Sequence, residues 1–316
     1  MPEAGTPGRS CPPAYGYGAG ALAAPAQFGA ETLYVAGGLY GNVFALDRLL
    51  EMFAAEPGDK ALVFNGDFHW FDVAAEDFRR VTAAVLAHRA TRGNVETELA
   101  APAAGAGCGC AYPGFVDDGV VARSNRIIER LRQTAFGEPE LLVRMAALPM
   151  HLVAEVCGVR VGIVHGDADS LAGWGFSQEA LATGEGTRAA RAAFDRSAVR
   201  VFASSHSCLP VLQDLGEARL VANNGAAGMP NFRGTRHGNA TRISARPHPG
   251  ALYGARSGPL CVEAIAIDYD HGGWQRRFLE QWPEGSDAHL SYFERIAAGP
   301  RYEPAQALRA SLRRAA

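Results

Sequence analysis

The chain has almost no excess of either charge: 30 Lys and Arg face 33 Asp and Glu, a formal net charge of −3 over 316 residues. No run of basic residues marks a patch that would follow a phosphate backbone, so nucleic acid is not indicated as a macromolecular partner. Lys60 is the only lysine, a bias to which we attach no function. No stretch approaches the roughly 20 consecutive apolar residues of a membrane span, and the start lacks the basic-then-apolar pattern of a secretory signal. Cysteines are few, and Cys11, Cys108, Cys110, Cys157, Cys208 and Cys261 are not spaced as a secreted disulfide framework. These absences lead to the expectation of a soluble, cytoplasmic protein with reduced thiols and no membrane partner. Repeats and clear linkers are missing too, so one domain is expected rather than two.

What is present is enough apolar residue, 48% of the chain, to bury a large core. Residues 1–30 are dense in Gly, Pro and Ala without helical or strand periodicity, which predicts an irregular N-terminal tail or surface-wrapping segment pinned by Tyr15 and Tyr17. From Thr32 onward, short apolar runs end in polar loops and lead into helices, the pattern of βαβ units around a buried sheet. In "VAGGLYGNVFALDRLLE" a strand passes through a Gly-rich turn into a helix whose Phe44, Leu46, Leu49, Leu50 and Phe53 share one face. "ALVFNGD" predicts a second strand opening at Asp67. A helix is expected over 75–88, Asn94 in a loop, a Gly/Ala-rich loop insertion near 100–120, and a helix over 124–135. "HLVAEVCGVRVGIVHGDADS" reads as a hairpin ending at His165, and "VRVFASSHSC" as a strand delivering His206 and Cys208. Beyond "CVEAIAIDYD", "WQRRFLEQW" is expected as a strand or bend, followed by a C-terminal helix over 303–314.

Polar residues concentrate where strands end. Asp67, Asn94, His165 and His206 each follow an apolar run, and the carboxyl ends of strands in an open α/β sheet converge on the ligand crevice. A carboxylate, an amide oxygen and two imidazoles form a mixed O/N donor set suited to Mn, Fe, Zn, Ni or Co rather than Ca. Each residue alone is more often a satisfied structural group; four at four strand ends shift the balance to a metal site.

The ordered set "GLYGN" (38–42), "GD" (66–67), "GNV" (93–95), "HGD" (165–167), "SHSC" (205–208) and "NNGAAG" (223–228) resembles the motif series of the calcineurin-like metallophosphoesterases, over about residues 32–270. The resemblance implies an α/β fold: a four-layer α-β-β-α sandwich of two mixed β-sheets flanked by helices, within a single domain over 31–316. It implies catalytic and metal-binding roles for Asp67, Asn94, His165 and His206, which match all four ligands of the family's second metal site. The first site is altered, with Gly38, Tyr40 and Cys208 where the family has Asp, His and His. Tyr40 and Cys208 are capable metal ligands when deprotonated, and His69 and Asp167 sit in neighbouring loops. One ion or two is therefore open, as is the alternative that Tyr40 fills a vacated position and Cys208 is a plain thiol. Val95 replaces a family histidine that helps the leaving group, removing the obvious general acid. Cys108 and Cys110 form a Cys-x-Cys that either reaches the site as metal or redox ligands or stays passive.

Two functions follow. One is a metal-dependent phosphoesterase acting on a small phosphorylated substrate, whose phosphate Asn94 and one of Arg92, Arg126 or Arg233 would contact. The other is a binding or scaffold protein built on the same fold. Homo-oligomerisation is compatible with either.

Overall fold

A computed structural model of the chain describes residues 6–309. The strands are β1 (Phe28–Ala30), β2 (Thr32–Ala36), β3 (Lys60–Asn65), β4 (Arg89–Thr91), β5 (His151–Val156), β6 (Val159–Val164), β7 (Val201–Ser204), β8 (Val211–Asp214), β9 (Leu220–Asn223), β10 (Gly238–Ser244), β11 (Ala251–Ser257), β12 (Leu260–Ile267) and β13 (Leu308–Arg309). They build a seven-stranded sheet, β1-β5-β6-β7-β9-β8-β13, and a six-stranded sheet, β11-β12-β10-β2-β3-β4. Both sheets are mixed, with parallel centres at β2-β3-β4 and β6-β7-β9.

Alternation along the strands creates the layers, because successive side chains leave opposite faces. Leu33, Val35 and Val63 meet Val161, Ile163, Val201 and Ala203 in a dry seam between the sheets. Tyr34, Ala36, Leu62 and Phe64 point outward and are covered by helices, with Leu46 and Leu49 from helix Val43–Ala55 and Trp274 and Phe278 from helix His271–Gln281. Phe202 and Val221 on the other outer face pack on Ala190, Ala193 and Phe194 of helix Gly184–Ser197. The architecture is the α-β-β-α sandwich expected. No helix among the described residues is long and apolar enough to cross a membrane.

Several local expectations are corrected. "WQRRFLEQW" is helical: Asp270 accepts from the Gly273 N–H at 2.8 Å as an N-cap, and Trp274, Phe278 and Gln281 are buried at helical spacing. The C-terminal helix is a single turn, Pro304–Ala307, followed by β13; the rest of that expected helix lies outside the described residues. Asn94 opens helix Asn94–Ala100 instead of lying in a loop. The described part of the N-terminal segment wraps the domain, with β1 parallel to β5 and Leu22 buried. Tyr15, buried, donates to Glu98 Oε1 at 2.7 Å.

The parallel centres decide where chemistry can occur. Tyr40, Asp67, Asn94, His165, His206 and Asn224 follow β2, β3, β4, β6, β7 and β9, so all emerge at one edge of the sandwich. Asn65 ties that edge together across the sheets: its Nδ2 donates to the Val164 carbonyl at 2.7 Å, and its Oδ1 accepts from Thr91 Oγ1 at 2.9 Å.

Candidate metal centre

Each of the four strand-end residues is aimed by a main-chain group. His165 Nδ1 lies 2.9 Å from the Asn65 carbonyl, which can only accept, so Nδ1 carries the proton and Nε2 is bare in the neutral ring. His206 Nε2 lies 3.0 Å from the Cys110 carbonyl, which leaves Nδ1 bare by the same logic. Asn94 Nδ2 donates to the Cys108 carbonyl at 3.0 Å and turns Oδ1 the other way. Asp67 Oδ1 accepts from the Val95 N–H at 3.2 Å.

The freed atoms converge. His165 Nε2 is 3.2 Å from His206 Nδ1, 3.3 Å from Asn94 Oδ1 and 3.3 Å from Asp67 Oδ2. The ligand atoms of Asp67, His165 and His206 all lie within 4.8 Å of one another, and all three residues are buried. With neutral rings, none of these atoms carries a hydrogen for its neighbours. Buried acceptors facing acceptors are costly unless a proton or cation sits among them, and this O/N donor set fits a divalent transition metal.

The electrostatics agree. Burial opposes ionisation of Asp67, but the neighbouring His165 and His206 and the Val95 N–H outweigh it and hold the carboxyl below its usual value. Burial likewise pulls His165 down, but the Asp67 carboxylate more than compensates and raises it. His206 is pushed down to about 4 by burial and by the charge of His165.

The loops that carry these groups are closely packed. Tyr40, Asp67 and Cys208 adopt left-handed backbone conformations, with φ of 56°, 49° and 61°, a cost accepted where a site over-determines the chain. A side chain at Gly66 would lie 2.6 Å from His165 Nδ1 and from the Gly93 nitrogen. Glu96, fully buried, gathers four N–H donors: Gly93 and Asp67 at 2.8 Å, Phe68 at 3.0 Å and His69 at 3.3 Å. It thereby clamps the Asp67 loop to the Asn94 helix. Sequence reasoning missed Glu96, although "GNVE" carries the spacing of a helix-capping glutamate.

Other expected residues land elsewhere. His69 uses both nitrogens away from the cluster, at 2.6 Å from Asp72 Oδ2 and 2.9 Å from Thr82 Oγ1, stacked on Phe78. Asp167 folds its own loop by accepting from the Asp169, Ser170 and Gly175 N–H groups. Arg92 donates to the Ala146 carbonyl, Arg126 pairs with Asp287 and Arg233 with Glu303, so the structure brings none of the three arginines to the site. Tyr40 and Cys208 do come close, with the hydroxyl 2.8 Å from the thiol. A side chain at Gly38 would meet the Tyr40 ring at 2.9 Å, so that ring covers the space above residue 38. Burial raises both Tyr40 and Cys208 above their ordinary values, keeping them protonated. Cys108 and Cys110, expected as thiols, pair as a disulfide across Gly109, whose φ of 67° folds the loop back.

Beside the cluster is a cavity of about 40 Å³, walled by Tyr40, Trp70, Tyr112, Trp174 and Tyr292. Tyr112 comes from the inserted loop and Trp174 from the loop after β6. Trp174 meets the His206 ring edge-on at 5.4 Å and donates its indole N–H to the Cys110 carbonyl at 3.0 Å. For Tyr112 and Trp174 the signal was an aromatic residue set in a Gly-rich loop; Tyr292, from helix Asp287–Ala298, carried none.

Two solved structures share this layout. A metallophosphoesterase from Sphaerobacter thermophilus aligns with a TM-score of 0.55 at 17% identity, over 86% of this chain and 100% of that one. This is the metallophosphoesterase fold. A hypothetical protein from Pyrococcus horikoshii shares it with a TM-score of 0.56 at 14% identity, over 85% of this chain and 99% of the other. No protein-family profile and no curated protein matches the sequence. At these identities the metallophosphoesterase likeness concerns the fold, and the chemistry has to be argued from the residues.

Proposed function

We propose that the protein is a metal-dependent phosphoesterase that works mainly through one metal position, held by Asp67, Asn94, His165 and His206. The observation that carries this reading is the convergence of four buried atoms, each aimed by a hydrogen bond, that with neutral imidazoles are acceptors with no donor among them. A divalent cation there would polarise a phosphoryl oxygen and make a bound water acidic enough to act near neutral pH.

The chain's own groups do the rest. The Asn65 and Cys110 carbonyls keep each imidazole in the tautomer that presents its lone pair, and the aromatic wall limits water around the reacting ester. In hydrolysis the oxygen of water bonds to phosphorus, the ester P–O bond breaks and the departing oxygen takes up a proton. Val95 offers no acid for that proton, so solvent supplies it and stable leaving groups are favoured. Tyr40 lies over Gly38 and is hydrogen-bonded to Cys208; on the family resemblance, these three positions would otherwise serve a second cation. That arrangement is the one observation favouring a scaffold role; four oriented buried acceptors have no use in a scaffold.

The test is metal analysis of the purified protein, followed by hydrolysis of mono- and bis-p-nitrophenyl phosphate with Mn, Ni, Co or Fe. Turnover that Asp67→Ala and His165→Ala abolish supports the proposal. Absence of both bound metal and turnover across the panel would sink it.

A further inference from the structure

We propose that Cys108 and Cys110 form a thiol–disulfide exchange site that sets the metal affinity of the strand-end cluster, with a small dithiol as co-reactant. The proposal rests on the metal-site reading above and adds its regulation. What carries it is where the main chain of this pair points: two of the four metal-facing side chains are aimed by the carbonyls of these same two cysteines. Asn94 Nδ2 donates to the Cys108 carbonyl, and the Cys110 carbonyl accepts from both His206 Nε2 and the Trp174 indole, all at 3.0 Å. Asp67 and His165 take their aim from Val95 and Asn65, outside the loop.

The disulfide holds those two carbonyls at their spacing. Cα atoms two residues apart reach about 7 Å in extended chain, and here they are 5.4 Å apart across Gly109. The first half of the turn is anchored by hydrogen bonds, from the Cys108 N–H to Asn125 Oδ1 and from the Gly109 N–H to the Ala106 carbonyl, both at 3.0 Å. The sulfur–sulfur bond fastens Cys110 to that anchored half. Without it Cys110 is free to relax toward extended backbone, drawing its carbonyl away from His206 and Trp174. Losing a group that orients a metal ligand costs about tenfold to a hundredfold in metal affinity.

Access fits exchange. Cys108 is fully buried, whereas Cys110 is 7% exposed and lines the cavity, so an incoming thiolate meets the Cys110 sulfur. Its sulfur bonds to Cys110 Sγ, the Cys108–Cys110 bond breaks, and Cys108 departs with the electron pair. The second thiol of the reductant then displaces Cys110. Two electrons and two protons pass to the cysteines, and the reductant becomes a disulfide. If the oxidised form binds a cation more tightly, the bound cation opposes reduction by the same factor.

The experiment uses full-length protein carrying Cys11→Ser and Cys157→Ser, which removes the exposed free thiols. Mn²⁺ is titrated calorimetrically into the oxidised protein and into protein reduced with dithiothreitol, the reductant being removed under argon. The reduced form should bind Mn²⁺ about tenfold more weakly or worse, and reoxidation should restore the affinity. Mn²⁺ should also slow the alkylation of Cys108 and Cys110 in dithiothreitol, read by peptide mass. Cys110→Ser should match the reduced form and ignore dithiothreitol; should that variant fail to fold, the comparison of oxidised and reduced protein decides. Equal Mn²⁺ affinity in the two forms, or Cys108 and Cys110 alkylating as thiols in the air-oxidised protein, would overturn the proposal while the metal site stands. Absence of Mn²⁺ binding in both forms would overturn the metal-site reading and this proposal with it.

Discussion

Metal and proton should compete for one buried position, and the competition should be visible in stability. His165 Nε2 sits 3.2 Å from His206 Nδ1 and 3.3 Å from both Asn94 Oδ1 and Asp67 Oδ2. In the metal-free protein a proton on Nε2 satisfies these acceptors, which is why His165 is raised above its ordinary value of 6.5. A group raised on folding contributes stability that is complete below its unfolded pKa and disappears as pH climbs through the folded value. Metal-free protein should therefore lose about 1–3 kcal/mol as pH rises above neutrality, the cost of leaving a buried acceptor unpaired. His206 acts in the opposite sense. Being depressed to about 4, it costs stability as pH falls from its unfolded value through that figure. Mn²⁺ held at a hundred times its dissociation constant at neutral pH should add about 2.7 kcal/mol there, and at that fixed concentration the gain should grow with pH as the proton leaves. Asp67→Asn should flatten the alkaline limb, since its amide N–H can donate to Nε2, and should remove the Mn²⁺ effect. Denaturant unfolding in EDTA and in Mn²⁺ across the pH range measures each term. A metal-free stability that is flat or rising above neutrality, or an Asp67→Asn protein that keeps the Mn²⁺ gain, would refute the reasoning.

Gly93 has an ordinary φ of −96°, so Gly93→Ala carries no backbone strain; its methyl would overlap the Asp67 carboxylate and lie 2.6 Å from the Asp67 nitrogen. The overlap should cost about 1–3 kcal/mol and weaken Mn²⁺ at least about tenfold, read by unfolding midpoint and by calorimetry. Away from the site, Glu56 is lowered from 4.5 to about 2, chiefly by hydrogen bonds from the Arg242 guanidinium. A depressed carboxyl contributes above its unfolded pKa, so up to about 3 kcal/mol should be lost as pH falls from 4.5 through 2, and Glu56→Gln should abolish that acid limb in unfolding curves.

Much of the site was legible because a strand that ends in a polar residue is visible in one dimension. "LVFNGD", "GIVHGD" and "VFASSHSC" each pair an apolar run with a potential ligand, while "RGNVE" follows only the short strand Arg89–Thr91; the parallel order of the strands carries all four to one edge. His69 and Asp167 share those loops and look equivalent in sequence. Yet His69 is drawn inward by Asp72, Thr82 and Phe78, and Asp167 is consumed by N–H groups of its own turn. The arginines failed for a similar reason: a long charged side chain finds the nearest carbonyl or carboxylate, and its partner, such as Asp287 for Arg126, lies 161 residues away.

By itself, then, the sequence determined the fold class and the presence of Asp67, Asn94, His165 and His206 near strand ends, since periodicity and residue type are local properties. Only the tertiary structure decided which nitrogen of each histidine is free, that Glu96 joins two loops, and that Tyr112, Trp174 and Tyr292 share one wall. Those outcomes depend on carbonyls, N–H groups and rings brought together from distant strands, and hydrogen bonding and packing act over distances in space that order along the chain does not encode.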